Sequence, residues 1–394
     1  MKVLVLGGAG GMGQVASREA VQYPFVDLVT VADLDGRHAR SVAHALGPKA
    51  VSLRLDVNDR SAMKTAIASH DVVLNTVGPF YVLGVPVLEQ VIEVGRHYAD
   101  ICDDWEPTLT MLALSRRAQE NGVTAIIGLG ASPGVTNLLA LKAAGALDEV
   151  DTLVTCWSIE GSDEDLEALE SQRPHATGAS AAVVHWVQQL TGSIRVLVDG
   201  KFEDVKPLAS ASIHYPGLGP LAVWSVGHPE AVTLPRSVPH LRQCYNAMIG
   251  PAEAFEGLRL IASLVDAGAI TVRQAADEIV KEMRRKRGLP KRDPRHAAGP
   301  SLFAWASGLR NGKKAVAAAG GRRMPPGGMA GATSIPLALS LPLFQQGFGR
   351  RFGVFSPEEI IDPDAFINTL ALQCAGPIAG DHGLLSLCEE EFTV

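Results

Sequence analysis

Cysteine is scarce in this 394-residue sequence, and no Cys-x-x-Cys pair occurs. The five cysteines are scattered along the chain, at Cys102, Cys156, Cys244, Cys374 and Cys388. An odd number of dispersed cysteines favours neither a disulfide framework nor a zinc cluster. We therefore expect a protein of the cytoplasm that holds no metal centre.

Excess positive charge and long apolar runs are also lacking. The formal net charge is −7, which argues against nucleic acid as the main partner because phosphate binding needs a basic field. No apolar run reaches membrane-spanning length without a charge or a glycine-proline interruption, so no membrane contact is expected. The first predicted strand lies at the very start of the sequence, so we expect no signal peptide. The length favours more than one domain.

Glycine is concentrated at the first predicted turn of the chain. Residues 2–6 predict a buried strand and residues 14–21 a helix, and between them Gly8, Gly10 and Gly13 form a G-x-G-x-x-G pattern. Such glycines permit a tight turn, let the backbone approach a pyrophosphate and let the helix pack on the strand. The positive end of the helix then faces the phosphates. The alternative is a glycine-rich turn with a purely architectural role.

An acidic residue follows this turn at the distance that a dinucleotide requires. Residues 28–32 predict a second strand, and Asp33 at its end lies 20 residues beyond Gly13. A carboxylate there accepts hydrogen bonds from the adenosine ribose hydroxyls. Asp33 favours NAD as the cofactor because it would repel a 2′-phosphate, whereas the nearby Arg37 keeps NADP open.

Strand and helix patterns alternate through about residue 130. Strands are predicted at 2–6, 28–32, 50–55, 71–75, 97–100 and 123–129, with helices near 37–45, 60–68, 85–94 and 107–120. Continuous apolar strands that alternate with helices indicate a parallel sheet covered on both faces, with ligands at the carboxyl ends of its strands. We predict an α/β fold whose first domain, residues 1–134, is a Rossmann-type doubly wound parallel sheet.

Polar and glycine-rich segments follow the third to sixth strands, at 56–59, 75–80, 100–104 and 128–134. Asp56 is placed to recognise an adenine amino group, and the turn at 75–80 to pass along the sugars and nicotinamide. Each segment alone is compatible with ordinary capping and turn chemistry. Together they line one edge of one sheet, which predicts a site there.

The alternation ends near residue 135. Strands are predicted at 150–159, 194–198, 221–226 and 231–234, and helices at 180–190, 251–267 and 271–286. The pair Asn311-Gly312 predicts a hairpin between 302–307 and 314–319. We expect an inserted α+β domain with a mixed sheet over 135–330. A long helix at 332–346 opens a C-terminal segment, 331–394, that we expect to pack back on the first domain.

These landmarks resemble the saccharopine dehydrogenase family, which includes saccharopine reductases, lysine 6-dehydrogenases and carboxynorspermidine dehydrogenases. The matching segments are 8–13, 75–80, 98–100 with 102–103, 130 with 133–134 and 137, 227–230 with 233–236, and 353–354 with 357–358. The resemblance covers nearly the whole chain. It implies a Rossmann domain with an inserted α+β domain, nicotinamide in the cleft between the two, and a homodimer.

The resemblance also implies roles for individual residues. The pyrophosphate would be held by Gly8, Gly10, Gly11, Met12 and Gly13, the ribose by Asp33, and the adenine by Asp56 and Val57. The second ribose and the nicotinamide would be lined by Asn75, Thr76, Gly78, Pro79 and Phe80. The reacting centre would be bordered by Cys102, Asp103 and Asp104.

The family's characterised members act on a C–N bond. We accordingly expect NAD(P)-dependent hydride transfer at the CH–NH or CH–NH2 group of a lysine-like amino acid or polyamine precursor. Oxidation needs a neutral amine, so we hypothesise that Asp103 or Asp104 attracts the substrate ammonium and relays its proton. Arg236, with His214 as a weaker candidate, would hold a substrate carboxylate, since the guanidinium fork matches it in bidentate fashion.

Each of these assignments has an alternative. Cys102 could serve as a small residue packed under the nicotinamide rather than as a reactive group. One of the two aspartates could serve as a helix N-cap. Arg236 could form an internal ion pair instead of binding substrate. At the level of the whole protein, the alternative is a dinucleotide-binding regulatory or scaffold protein without turnover.

Overall fold

A computed structural model describes residues 1–159, 179, 181–286, 300–321, 323–347, 351–374 and 385–391. The chain divides into two compact units. The first contains Met1–Val135 and Met324–Pro377, and the second contains Thr136–Arg323 and Ile378–Val394. In the described part of the chain, no helix is long and apolar enough to cross a membrane.

The first unit is built on a seven-stranded parallel sheet. Its strands are β1 (Lys2–Leu6), β2 (Leu28–Asp33), β3 (Ala50–Arg54), β4 (Val72–Asn75), β5 (His97–Asp100), β6 (Thr124–Ile126) and β15 (Gly353–Phe355). The order is β15-β6-β5-β4-β1-β2-β3, and every neighbouring pair is parallel. The predicted Rossmann-type sheet is confirmed, and β15 extends it by one strand that the sequence pattern did not predict.

Helices cover this sheet. They are α1 (Gly11–Gln22), α2 (Gly36–Leu46), α3 (Arg60–Ala68), α4 (Phe80–Val94), α5 (Trp105–Ala113), α6 (Ser115–Glu120), α12 (Gly328–Ala338), α13 (Ser340–Gln345), α14 (Pro357–Ile360) and α15 (Pro363–Ala371). Because of this cover, Val3, Leu4, Val5 and Leu6 of the central strand are all 0% exposed. A strand buried on both faces is apolar throughout rather than alternating.

Two predicted helices are each divided in the structure. The helix expected at 107–120 is α5 followed by α6, and the helix expected at 332–346 is α12 followed by α13. In the second case Pro342 has no N–H to donate to the Ala338 carbonyl, so the hydrogen-bond ladder is interrupted. The Ser340 hydroxyl instead donates to the Leu337 carbonyl at 2.6 Å.

The second unit contains a nine-stranded sheet. Its strands are β7 (Glu149–Ser158), β8 (Ile194–Val198), β9 (Lys201–Val205), β10 (Ser210–Tyr215), β11 (Gly219–Val226), β12 (Gln243–Ile249), β13 (Leu302–Arg310), β14 (Lys313–Gly321) and β16 (Leu385–Glu391). The main order is β10-β11-β12-β7-β13-β14-β16, and β8 pairs with β12 and β9. Only the β7–β12 pair is parallel among these described strands, so the predicted mixed sheet is confirmed.

Among the described residues of this part of the chain, five further helices are seen: α7 (Val135–Ala144), α8 (Ala181–Gln189), α9 (Glu230–Ser237), α10 (Ala252–Asp266) and α11 (Val272–Lys286). The strand predicted at 231–234 is wrong, because these residues lie in α9. Ala231, Val232 and Leu234 are each at most 1% exposed, and a short apolar run of this kind fits a buried helix as well as a strand.

The C-terminal segment divides between the two units. Helices α12 to α15 belong to the first unit. Strand β16 instead pairs antiparallel with β14 in the second sheet, with Ala318 opposite Cys388. The expectation that residues 331–394 pack back on the first domain is therefore corrected for β16, whose backbone pairs with β14. Strand β14 belongs to the predicted hairpin at Asn311-Gly312, and the structure confirms that hairpin.

Candidate functional site

The glycine-rich turn between β1 and α1 is tightly packed. A Cβ atom on Gly13 would lie 2.1 Å from the Gly7 carbonyl oxygen, so only glycine lets the helix approach the turn. A Cβ on Gly8 would lie 2.9 Å from Cγ1 of Val31. The left-handed residue is Gly7, with φ of +70°. Gly8 therefore allows close packing on β2, and the turn itself depends on Gly7.

Helix α1 begins in an exposed position. Gly10 is its N-cap, is exposed, and offers no side-chain cap to the first turn. The N–H groups of Gly11, Met12 and Gly13 belong to that turn and have no acceptor within the helix. The Ser334 hydroxyl of α12 lies 3.6 Å from the Met12 sulfur. The amino end of α1 is thus free of its own capping side chain and suited to an anion such as a pyrophosphate.

The Asp33 carboxylate is held beside this turn by two backbone groups. Oδ2 accepts the N–H of Ala9 at 3.1 Å, and Oδ1 accepts the N–H of Asp35 at 3.0 Å. Asp33 is half-buried, and each carboxylate oxygen has a second lone pair for a ribose hydroxyl. Its geometry therefore supports the predicted role.

Two arginines flank Asp33. Arg37 follows it at the start of α2, and Arg54 is its register partner on β3. Both are exposed, and a Cβ on Gly36 would lie 2.8 Å from the Arg54 Cβ, so the Arg54 stem packs on the start of α2. The sequence pattern indicated Arg37 but not Arg54. Arg54 could have been found from its position at the end of β3, the strand next to β2.

The predicted adenine residues lie after β3. Asp56 is exposed, and its Oδ1 accepts both the backbone N–H and the Nδ2 group of Asn58, at 2.9 and 3.0 Å. Val57 is half-buried and packs against the main core of the unit. Asp56 Oδ1 therefore closes a local turn, and Oδ2 takes no part in that turn.

The turn after β4 divides into two kinds of residue. The Thr76 hydroxyl donates to the Leu6 carbonyl at 2.8 Å, which ties this turn to the end of β1. Asn75 is fully buried, whereas Gly78 and Pro79 are exposed. Phe80 is 6% exposed and begins α4. Gly78 and Pro79 thus present backbone to a ligand, while the side chains of Asn75 and Thr76 serve the turn itself.

The residues after β5 include the three predicted around the reacting centre. Cys102 is 0% exposed, and its sulfur lies 3.7 Å from both the Asp104 carbonyl oxygen and the Thr108 hydroxyl. Burial, together with nearby Asp100 and Asp104, raises the pKa of Cys102 well above its usual value. A neutral buried thiol is not a nucleophile, so the geometry supports the packing alternative.

The two neighbouring aspartates differ in position. Asp103 is half-buried. Asp104 is 9% exposed and occupies the N-cap position of α5, but its side chain makes no capping hydrogen bond. The capping alternative therefore does not explain the Asp104 carboxylate.

A buried tyrosine–aspartate pair at the end of β5 was missed at the level of the sequence. The Tyr98 hydroxyl donates to Asp100 Oδ2 at 2.8 Å, and both residues are 0% exposed. Burial is the largest influence on the Asp100 carboxyl and raises its pKa to about 6. Alternating tyrosine and aspartate in a strand pattern carries no signal of a buried pair, because the pattern does not show which faces are covered.

The predicted substrate residues lie in the second unit. Arg236 is exposed in the last turn of α9. His214 lies on β10, where its Nε2 is 3.0 Å from Glu390 Oε2 of β16. At the other end of α9, Glu230 is 0% exposed and accepts the Thr136 hydroxyl at 2.7 Å. The roles of Arg236 and His214 stay predictions.

Comparison with known proteins gives three findings. Residues 3–126 match the family model described as the saccharopine dehydrogenase NADP binding domain. A saccharopine dehydrogenase (NADP+, L-glutamate-forming) of Schizosaccharomyces pombe is 27% identical over 95 residues, which cover 24% of this chain and only 20% of that protein. The apo saccharopine dehydrogenase (L-Glu forming) of Saccharomyces cerevisiae matches over 100% of both chains, with a TM-score of 0.65 and 15% identity.

The identity to the yeast structure is low, so that similarity establishes the fold. The matched domain spans β1 to β6, which includes the glycine turn, Asp33 and the ends of β4 and β5. These findings agree with the resemblance that the motifs predicted: residues 3–126 are similar to the NADP binding domain of saccharopine dehydrogenases, and the chain shares the fold of the yeast enzyme.

Proposed function

We propose that this protein is an NAD(P)-dependent oxidoreductase that transfers hydride at the CH–NH or CH–NH2 group of a lysine-like amino acid or polyamine precursor. The observation that carries the proposal is the glycine turn at the amino end of α1, with Asp33 fixed beside it by the N–H of Ala9. This arrangement suits the pyrophosphate and a ribose of a dinucleotide. The assignment of a C–N bond as the reacting group rests on the family resemblance.

The cofactor supplies the hydride chemistry, and the protein supplies binding, orientation and exclusion of water. The exposed amino end of α1 would hold the pyrophosphate and Asp33 the adenosine ribose. In an open α/β sheet the two halves of a dinucleotide lie on either side of the switch point. With the adenosine half at β2 and β3, the nicotinamide half lies at β4 to β6.

The choice between NAD and NADP depends on the surroundings of Asp33. The carboxylate opposes a 2′-phosphate, but two backbone N–H groups already offset part of its charge. Arg37 and Arg54 are exposed on either side and offer the planar donors that bind phosphate. We propose that these arginines allow NADP to bind, in keeping with the family description.

The residues after β5 would manage the substrate amine. Asp103 and Asp104 are carboxylates at the ligand-binding edge of the sheet, and a carboxylate there attracts an ammonium group and relays its proton. Cys102 is assigned a packing role beneath them because its thiol is buried and neutral. Arg236 is retained as the proposed ligand of a substrate carboxylate, and His214 as the weaker candidate.

The test is turnover, followed through the absorbance of reduced nicotinamide. Lysine, saccharopine and related amino acids are offered with NAD and with NADP, and diamines plus aspartate semialdehyde are offered with NADH and with NADPH. The proposal predicts turnover with at least one amine. Cofactor binding without turnover across this panel would favour a regulatory or scaffold protein instead.

A further inference from the structure

Three turns at the carboxyl edge of the first sheet are joined by one chain of buried hydrogen bonds. These turns follow β4, β5 and β6, which are neighbours in the sheet. Their connecting side chains are Asn75, Tyr98 and Asp100, and each is 0% exposed. None of the three reaches solvent, so the chain acts on a ligand only through the backbone that it holds.

The chain begins in the turn after β4. Asn75 Oδ1 accepts the N–H of Val77 at 2.9 Å, and Asn75 Nδ2 donates to the Tyr98 hydroxyl at 2.9 Å. The Tyr98 hydroxyl in turn donates to Asp100 Oδ2 at 2.8 Å. The direction of each bond is fixed, since an amide Nδ2 can only donate and an ionised carboxylate can only accept.

The chain ends on two backbone groups from different turns. Asp100 Oδ1 accepts the N–H of Cys102 at 3.0 Å and the N–H of Gly128 at 2.7 Å. Gly128 opens the turn after β6 with a φ of +71°, and the Asp100 carbonyl accepts the N–H of Leu129 at 2.7 Å. One carboxylate therefore fixes where the second and third turns stand relative to the first.

A scaffold does not need this bonding pattern for stability. Bringing an ionised carboxylate out of water is costly, and an apolar side chain of similar size is often as stable. The raised pKa of Asp100, due mainly to burial, agrees with such a cost. The location points to a reason for keeping the buried carboxylate, because the three turns follow β4, β5 and β6, where the nicotinamide half of the cofactor is proposed to lie.

We propose that Asp100, through Tyr98 and Asn75, is a positioning residue that sets the turns around the nicotinamide half of the cofactor. The proposal rests on the proposed function, because it requires that a dinucleotide binds at this edge. It assigns no contact between Asp100 and the ligand. The adenosine half, held at the amino end of α1 and by Asp33, lies outside its reach.

Two variants separate positioning from bulk. Asp100→Asn keeps the size of the side chain and can still accept the N–H groups of Cys102 and Gly128, but its amide nitrogen cannot accept the Tyr98 hydroxyl. Tyr98→Phe removes only the hydroxyl, which leaves Asn75 Nδ2 and Asp100 Oδ2 unlinked. Thr30→Val is the matched control. It removes another buried hydrogen bond of the same sheet, between Thr30 Oγ1 and His70 Nε2 at 2.7 Å, which lies away from the three turns.

The experiment is calorimetric titration of each purified full-length protein with ADP-ribose and with NADPH or NADH, whichever binds the wild type more tightly. Both variants should bind ADP-ribose within about twofold of the wild type and the complete cofactor about tenfold more weakly. Thr30→Val should leave both affinities unchanged. Thermal unfolding establishes that each variant is folded. If Asp100→Asn does not fold, the affinities of Tyr98→Phe alone test the positioning role.

The outcomes are distinguishable. Equal affinity of the wild type and both variants for the complete cofactor would overturn the positioning role, as would a parallel loss for ADP-ribose. The same loss in Thr30→Val would show a general effect of destabilisation and would also overturn it. A wild-type protein that binds neither ligand would instead refute the proposed function on which the role rests.

Discussion

The two units place their buried polar groups differently. In the first unit one linked set of them, Asn75 and Asp100 with Tyr98 between, stands at the carboxyl ends of adjacent parallel strands. In the second unit Asn246 of β12 donates to Thr155 of β7 and accepts the N–H of Ala231, so it joins a helix to the middle of the sheet. The carboxyl ends of parallel strands are where an open α/β sheet binds ligands, whereas the Asn246 contacts hold a helix on the second sheet.

The largest effect should appear at the glycine turn. Gly13→Ala would place a Cβ against the Gly7 carbonyl, and overpacking of this kind costs about 3 kcal/mol or more of unfolding free energy. Gly257→Ala in α10 of the second unit is the control, since a Cβ there meets nothing within 4 Å. Denaturant unfolding should show a large loss for the first and a small gain for the second. Similar values would remove the contrast between the units.

The buried carboxylate predicts a dependence of stability on pH. The folded pKa of Asp100 is about 6, above its ordinary value of 3.8. Between these values the folded state holds a proton that the unfolded chain has lost, so this group's contribution to stability is present below pH 4 and lost as pH rises through 6. The nearby Asp103 also raises the pKa of Asp100, whereas the hydrogen bonds from Tyr98, Cys102 and Gly128 lower it.

Asp100→Asn removes this titration. Relative to the wild type, its unfolding free energy should increase by up to about 3 kcal/mol as pH rises from 4 to 7. Denaturant melts at a series of pH values, with Asp364→Asn at an exposed position of α15 as the control, measure the difference. A constant difference across the range would contradict the assignment of a raised pKa to this carboxyl.

The acids after β5 should act on turnover rather than on cofactor affinity. Asp103→Asn removes the group proposed to attract and deprotonate the amine, and loss of such a group typically lowers kcat about 100-fold or more. Glu106→Gln, on an exposed position of the following helix, should retain wild-type rates. Steady-state kinetics on the true substrate decide this, and unchanged kcat in Asp103→Asn would require a different proton carrier.

The smallest expected effect concerns the choice of cofactor. Arg54→Ala and Arg37→Ala should each weaken NADPH about tenfold and leave NADH within about twofold, because only NADPH carries the 2′-phosphate. Fluorescence titration with both cofactors measures the ratio. Equal losses for the two would mean that the arginines contact a part that both cofactors share.

Much of the first unit could be predicted because a dinucleotide imposes residue types at fixed spacings. Gly8, Gly10, Gly13 and Asp33 are required locally, within one turn and the following strand. The link between Asn75 and Tyr98 could not be predicted, since its partners are 23 residues apart and meet only through the order of the strands. Sequence therefore located the edge of the site but not the groups that hold it.

The second unit was harder to predict for a physical reason. Strands β9 and β10 have mostly exposed or alternating polar residues, KFEDV and SASIHY, with few apolar positions to reveal a period of two. The helix α9 is so thoroughly buried that its apolar run resembled a strand. Its contacts are with residues distant in sequence, such as Asn246, and no local pattern encodes them.

The central claim is that a nucleotide diphosphate binds across the amino end of α1. Calorimetric titration of NADPH and NADH into the wild type and into Gly10→Ala tests it most directly. Gly10 is exposed, with φ of −71°, so alanine can adopt its backbone conformation, with a Cβ 3.2 Å from the Gly7 carbonyl oxygen that covers the approach of the phosphates. We predict binding of at least one cofactor to the wild type and a loss of about tenfold or more in the variant. Absence of binding to the wild type at millimolar cofactor, or equal affinity in both proteins, would contradict the claim.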